Sequence, residues 1–189
     1  MPKRLFVAIN LPMDLKREIF EIQKNIDKEL GEEYSQAKVF KWVAMENLHI
    51  TLKFIGEVGP SASLREPGLA GETLRAGESQ IPKIIDDTEK MTQDQKTFEI
   101  KTERICYDNE KAPRLIWLTT SKGHITLARI KEWAFRRIEI DERPSINQDF
   151  ERNFSVNSIE LMESVLHRTG PEYKILQSFP LASKLKILV

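Results

Sequence analysis

The chain has 189 residues, which is enough for one domain or for two small lobes that share a core. Its 29 basic and 29 acidic residues balance, so no overall field attracts nucleic acid, and any such contact is expected to be local. Cys106 is the only cysteine, which excludes a disulfide framework and a multi-cysteine zinc site. The sequence contains no run of about 18 apolar residues and no secretory signal, so we expect a cytoplasmic protein with no membrane partner.

Hydrophobic periodicity predicts strands and two helices. In chain order, we predict a strand at residues 4–10, a helix at 12–30, strands at 40–43 and 49–55, a helix at 82–91, and strands at 98–105, 114–120, 124–130, 154–161 and 173–181. Asp14 is expected to cap the first helix and Gly31 to end it. The third strand is expected to stop at Gly56, and residues 108–113 to form a loop.

Three of these strands occur twice in the same order. Residues 4–10, 49–55 and 98–105 form the first copy, and residues 114–120, 124–130 and 154–161 form the second. Such a repeat predicts two lobes related by a pseudo-two-fold axis. We therefore expect one bilobal α+β domain over residues 1–189, with an antiparallel sheet in each lobe, helices outside and a central cleft.

Two segments interrupt the repeat. Residues 59–80 contain four of the eight glycines and no apolar period, which predicts a flexible insertion loop. Only Ser121, Lys122 and Gly123 separate the first two strands of the second copy, whereas 38 residues with a helix separate those of the first copy. Three residues with a glycine predict a β-hairpin turn, so the second lobe is expected to lack one helix.

The tetrapeptide HITL occurs at residues 49–52 and again at 124–127, and it contains two of the three histidines of the chain. On a strand, successive side chains point to opposite faces, so each His shares a face with the Thr two residues later. Two buried strands that share a sequence by chance are the structural alternative. The duplication instead favours a phosphate site with two proton-transfer groups.

These residues carry a resemblance to the two-histidine phosphoesterase superfamily, and more narrowly to the RNA 2′,3′-cyclic phosphodiesterases, also called LigT-like proteins or 2′-5′ RNA ligases. It depends on the opening strand LFVAI at residues 5–9, on ENLHITLKF at 46–54, on PRLIW at 113–117 and on HITLAR at 124–129. The resemblance covers most of the chain outside residues 59–80. It implies a bilobal LigT-like α+β fold with the site between the lobes.

The resemblance also implies an activity, namely metal-independent hydrolysis of RNA 2′,3′-cyclic phosphate ends to 2′-phosphomonoester ends. His49 would be the proton donor and His124 the proton acceptor, and Thr51 and Thr126 would bind the phosphate oxygens. Joining of RNA through a 2′-5′ linkage is the reverse reaction. We expect a monomer that binds RNA ends or small cyclic nucleotides and that needs no cofactor and no metal.

Family members usually have a helix directly before the second motif, whereas Gly123 precedes His124 here. The second hypothesis is therefore a non-catalytic RNA-end or nucleotide-binding protein with a damaged second motif. A metal site on His49 and His124 is a third hypothesis, but no acidic or thiol ligand lies at a regular spacing beside either histidine.

Five further residues are weaker candidates for substrate binding. Lys53 lies four positions after His49 and so on the same strand face, while strict alternation places Arg129 on the face opposite His124. Phe40, Trp42 and Tyr173 are candidates for stacking on a terminal base, although apolar residues beside strands more often belong to the core. His167 is interpreted as an ordinary turn residue.

Overall fold

The computed structural model describes residues 3–32, 34, 38–59, 80–168 and 170–182. Its nine strands are β1 (Lys3–Asn10), β2 (Phe40–Trp42), β3 (His49–Val58), β4 (Phe98–Tyr107), β5 (Leu115–Thr120), β6 (Gly123–Ile130), β7 (Asn147–Val156), β8 (Ser158–His167) and β9 (Gly170–Pro180). Its α-helices are α1 (Met13–Leu30), α2 (Ile81–Thr92) and the short α3 (Glu132–Phe135). Every strand pair of described register is antiparallel. The predicted α+β class with antiparallel sheet is confirmed.

The chain divides into two compact units. The motif unit comprises Asn10–Thr51 and Phe98–Ser155, and the terminal unit comprises Met1–Ile9, Leu52–Thr97 and Val156–Val189. Residues 49–51 and 124–126 both belong to the motif unit. Both His-x-Thr pairs are therefore part of the motif unit, and the boundary between the units follows Thr51 directly.

In the motif unit the strand order is β7-β4-β5-β6-β3, and β2 also pairs with β6. The helix α1 forms because apolar residues recur at helical spacing, and Leu15, Ile19 and Ile26 are buried. The strands contribute a second set of fully buried side chains to this core: Ile50, Ile116, Leu118, Ile125 and Leu127. Their burial fixes which face of each strand is turned away from the core.

In the terminal unit, the strand order is the part of β3 after Thr51, then β1, β8 and β9. One core cluster consists of Leu5, Val58, Leu161 and Phe179, and Ile81, Ile84 and Ile85 of α2 pack against it. The predicted helix at residues 82–91 is thus confirmed, with Pro82 in its first turn where its missing N–H costs nothing.

Several predicted boundaries are wrong. Pro12 is the N-cap residue of α1, and Asp14 lies in the first turn without a side-chain capping bond. Strand β3 continues past Gly56 to Val58. The predicted strand at 154–161 is two strands, the end of β7 and the start of β8, with Asn157 between them. Most of β7 was missed because polar residues dominate it, and polar Arg152 interrupts the alternation of buried Phe150, Phe154 and Val156.

The predicted hairpin between β5 and β6 is confirmed. Thr120 pairs with Gly123, so the turn itself is Ser121 and Lys122. Gly123 has φ +134°, a backbone conformation that residues with a Cβ rarely adopt, which explains a glycine directly before His124.

The predicted insertion at residues 59–80 lies, except for its two end residues, outside the described residues. Among the described helices, none has the length and apolar character needed to span a membrane.

Candidate active site

The two HITL segments meet on neighbouring strands. Ile50 of β3 is the register partner of Ile125 of β6, and the two strands run antiparallel. Both isoleucines are buried in the core. One step to either side of this pair, His49 lies across from Thr126, and Thr51 lies across from His124. Because side chains alternate along a strand, both imidazoles and both hydroxyls share the face opposite the isoleucines.

His49 is held by two hydrogen bonds. Its Nδ1 lies 2.6 Å from the carbonyl oxygen of Asn47, and its Nε2 lies 2.9 Å from Oγ1 of Thr51. A carbonyl only accepts, so Nδ1–H is the donor to Asn47. In the neutral imidazole the Thr51 hydroxyl then donates to Nε2. The nitrogen that takes up or gives a proton is therefore Nε2, on the side of Thr51.

Both imidazoles are biased toward the neutral form. Burial lowers the pKa of His49, the hydrogen bond to the carbonyl of Asn47 opposes that effect, and the charge of Lys16 lowers the pKa further. Burial also lowers the pKa of His124, and the carboxylate of Asp108 partly opposes this. Desolvation is the main cause at both sites, because it penalises the imidazolium more than the imidazole.

His124 stacks on an aromatic side chain of the neighbouring strand. The ring of Trp117 in β5 lies nearly parallel to the imidazole, with centroids 3.9 Å apart and planes 14° apart. The residues Trp117 and Thr126 are register partners, so the indole lies on the same sheet face as both motifs. The stack restricts the rotation of the His124 ring although no helix precedes the second motif.

A β-bulge changes the expected position of Arg129. Ile116 pairs with Ala128 whereas Trp117 pairs with Thr126, so Leu127 is an extra residue in β6. Both Leu127 and Ala128 are fully buried on the core face. The alternation is therefore shifted by one residue, and exposed Arg129 lies on the same face as His124 and Thr126. The prediction from strict alternation was wrong for this reason.

Gln23 of α1 holds the bulge in place. Its Nε2 donates to the carbonyl oxygens of Leu127 at 2.9 Å and of Val43 at 3.1 Å. The amide of Val43 donates to the same Leu127 carbonyl at 2.8 Å. The side chain of Gln23 is buried, so these bonds replace water that is absent from the core.

Replacing Gln23 by Met is expected to lower the free energy of unfolding by about 1–3 kcal/mol, because two buried carbonyls lose a donor. Urea denaturation followed by circular dichroism measures this loss. Asn25→Met on the exposed side of the same helix is the matched control and should change the free energy of unfolding by less than about 0.5 kcal/mol. Equal stability of the two variants would show that Gln23 does not support the bulge.

The weaker candidates from the sequence are placed differently. The ring of Phe40 is buried in the core of the motif unit, and the indole N–H of half-buried Trp42 donates to Asp27 of α1 at 2.7 Å. Tyr173 belongs to the terminal unit, where its ring packs edge-on against Phe6 with centroids 5.1 Å apart. Lys53 is exposed and also belongs to the terminal unit.

Sequence reasoning missed three residues of the motif unit that contact the motifs, the strands that carry them or the turn before β3: Lys16, Gln23 and Trp117. Trp117 had a detectable signal, since it alternates with buried Ile116 and Leu118 on the strand that the predicted hairpin pairs with β6. Lys16 and Gln23 had none, because lysine and glutamine in a helix usually face solvent. Within the described ranges, no three His, Cys, Asp or Glu side chains are grouped as metal ligands would be.

Comparisons with known proteins agree with this fold. Residues 9–117 match the profile of the family described as LigT like phosphoesterase, a range that includes the first motif and ends before the second. A relative from Archaeoglobus fulgidus named RNA 2′,3′-cyclic phosphodiesterase is 26% identical over 202 residues, covering 93% of this chain and 99% of the relative. A relative of the same name from Aquifex aeolicus is 23% identical over 195 residues, covering 86% of this chain and 91% of the relative.

Solved structures share the fold over nearly the whole chain. TT0787 from Thermus thermophilus superposes with a TM-score of 0.69 at 20% identity, covering 96% of this chain and 99% of that one. LigT from E. coli in complex with ATP superposes with a TM-score of 0.61 at 20% identity, covering 96% of this chain and 98% of that one. At this level of identity the likeness describes the fold.

Proposed function

Because this chain belongs to the LigT-like phosphoesterase family, we propose that it hydrolyses 2′,3′-cyclic phosphate ends of RNA to 2′-phosphomonoester ends. The observation that supports this proposal most is the register pair Ile50–Ile125, which sets His49 and Thr51 beside Thr126 and His124 on one face. The name of the relatives from Archaeoglobus fulgidus and Aquifex aeolicus supports the choice of substrate.

The proposed reaction is a single in-line displacement. The neutral imidazole of His124 accepts a proton from water as the water oxygen attacks phosphorus. The bond between phosphorus and O3′ breaks, and protonated His49 gives its Nε2 proton to O3′. The products are a 2′-phosphomonoester and a free 3′-hydroxyl. Histidine suits both roles because its ordinary pKa, about 6.5, makes both protonation states accessible near neutrality.

Thr51, Thr126 and Arg129 have supporting roles in this proposal. The two hydroxyls donate to the non-bridging phosphate oxygens as negative charge develops there. The hydrogen bond between Thr51 and His49 already places that hydroxyl beside the proton-donating nitrogen. Arg129 lies on the same face because of the bulge and adds a guanidinium, which pairs well with phosphate.

The test is hydrolysis of a short RNA that ends in a 2′,3′-cyclic phosphate, with EDTA present throughout. The proposal expects turnover that EDTA does not reduce and a product whose phosphate is on O2′. Loss of turnover with EDTA would revive a metal site. A folded protein that binds the RNA end without turnover would instead support the alternative, a non-catalytic RNA-end binding protein. Small cyclic nucleotides run in parallel test whether the RNA chain is required, and sedimentation tests the proposed monomer.

The pH dependence of kcat/KM follows from the two lowered pKa values. The base must be neutral, so activity falls as pH drops below the pKa of His124, and the acid must be protonated, so activity falls as pH rises above the pKa of His49. Burial lowers both pKa values from 6.5, so the optimum is expected below pH 6.5. Initial rates at low substrate between about pH 4 and 9 measure it. An optimum above about pH 7.5 would contradict the proposed roles.

A further inference from the structure

Helix α1 places a charged side chain inside the motif unit. Lys16 is only 4% exposed, although lysine is almost never this buried without a partner charge. Its Nζ donates to the backbone carbonyl oxygen of Glu46 at 2.9 Å. Among the described residues, no carboxylate lies within ion-pair distance of Lys16. A buried ammonium with a single carbonyl acceptor lowers the stability of the folded protein, which suggests a functional role for Lys16.

The contacts of Lys16 lead directly to the first histidine. Glu46 is the middle residue of a short 3-10 turn, Met45–Asn47, that precedes β3. The next carbonyl in that turn, of Asn47, accepts the Nδ1–H of His49 at 2.6 Å. Lys16 therefore binds the carbonyl of Glu46, and the carbonyl of Asn47 in the same turn binds the imidazole of His49. The backbone of two adjacent residues links the ammonium to the ring.

We propose that Lys16 is a positioning residue for His49, because its ammonium fixes the turn whose next carbonyl orients the imidazole. This inference builds on the proposed function, since it assigns Lys16 to the proton-donating half of that site. A phosphate supplies the negative charge that Lys16 lacks in the free protein, so binding of the anion favours the imidazolium that the reaction needs.

The charged and titratable groups around His49 support this role. Lys16 comes from α1, Glu46 from the 3-10 turn, and His124 lies across from Thr51 on β6. The ammonium of Lys16 lowers the pKa of His49, in the same direction as burial. The side chain of Glu46 is exposed, so solvent screens its charge. Burial lowers the pKa of Lys16 itself, and the carboxylate of Glu46 partly opposes that shift.

The test is an NMR titration of the three histidines in the wild type and in Lys16→Met, Lys16→Arg and Arg17→Met. Lys16→Met should raise the pKa of His49 by about half a unit or more, because a nearby positive charge is lost. Lys16→Arg keeps the charge and should leave the pKa of His49 near the wild-type value. Arg17→Met removes an exposed charge from the next position of α1 and should leave the pKa values of all three histidines unchanged.

The same variants show the effect on catalysis. In Lys16→Met the limb of the kcat/KM profile that reports His49 should move to higher pH, with the other limb unchanged. If Lys16→Met does not fold, Lys16→Gln removes the charge while keeping an N–H donor. An unchanged pKa of His49 in a folded variant without the charge would overturn the inference. A shifted pKa in a protein that hydrolyses no cyclic phosphate would reject the proposed function and leave only the link between Lys16 and the pKa of His49.

Discussion

Replacing His124 by Ala is expected to lower kcat/KM for a 2′,3′-cyclic phosphate by about 10²–10⁴-fold, and replacing His49 by Ala to lower it by a similar factor. Each substitution removes one of the two proton transfers while leaving the phosphate contacts in place. Steady-state hydrolysis of the cyclic phosphate RNA measures the loss, and circular dichroism shows whether each variant is folded.

The third histidine provides the matched control. His167 lies at the end of β8, is exposed, and its Nε2 is 2.9 Å from Oε2 of Glu172. His167→Ala should leave kcat/KM within about twofold of the wild type, because an exposed pair contributes little to stability. A loss of equal size in all three histidine variants would point to a general effect on the protein and away from the two motifs.

Replacing Ile125 by Ala is expected to lower the free energy of unfolding by about 2–5 kcal/mol, because it removes a fully buried branched side chain at the pair that joins β3 to β6. Guanidinium denaturation measures this loss. The paired strands carry the motifs, so a variant that still folds should also lose activity.

Ile175 in β9 is the control for that substitution, since it is 49% exposed. Ile175→Ala should cost less than about 1 kcal/mol, because little of its surface is transferred from water on folding. Similar losses for the two variants would show that the Ile50–Ile125 pair is not an anchor of the sheet.

The sequence predicted the strands and the helices that have a clear hydrophobic period. Helix α1 and the β5–β6 hairpin were predicted because helical spacing in one case and a glycine turn in the other are local signals. The placement of each His with its Thr on one strand face was predictable for the same reason. Strand β7 was not, because polar residues dominate it and polar Arg152 interrupts the alternation of Phe150, Phe154 and Val156.

What the sequence could not predict depends on contacts between distant segments. The bulge at Leu127 moves Arg129 to the face of the motifs, and it forms where β2, β5 and Gln23 all meet β6. In the sequence of β6 the extra residue is visible only as two adjacent apolar residues, Leu127 and Ala128, which strict alternation cannot both assign to one face. Likewise, a lysine in a helix is expected to face solvent. Only the tertiary structure shows that Lys16 contacts the turn before β3. In both cases only the tertiary structure shows that a polar side chain, Gln23 or Lys16, is buried.

The measurement that tests the central claim most directly is the pH profile of kcat/KM for the wild type, His49→Ala and His124→Ala, with EDTA present. An acid and a base acting together predict a bell for the wild type. They also predict a profile without its alkaline limb for His49→Ala and one without its acid limb for His124→Ala. A bell that persists unchanged in the residual activity of either variant would contradict the two-histidine site.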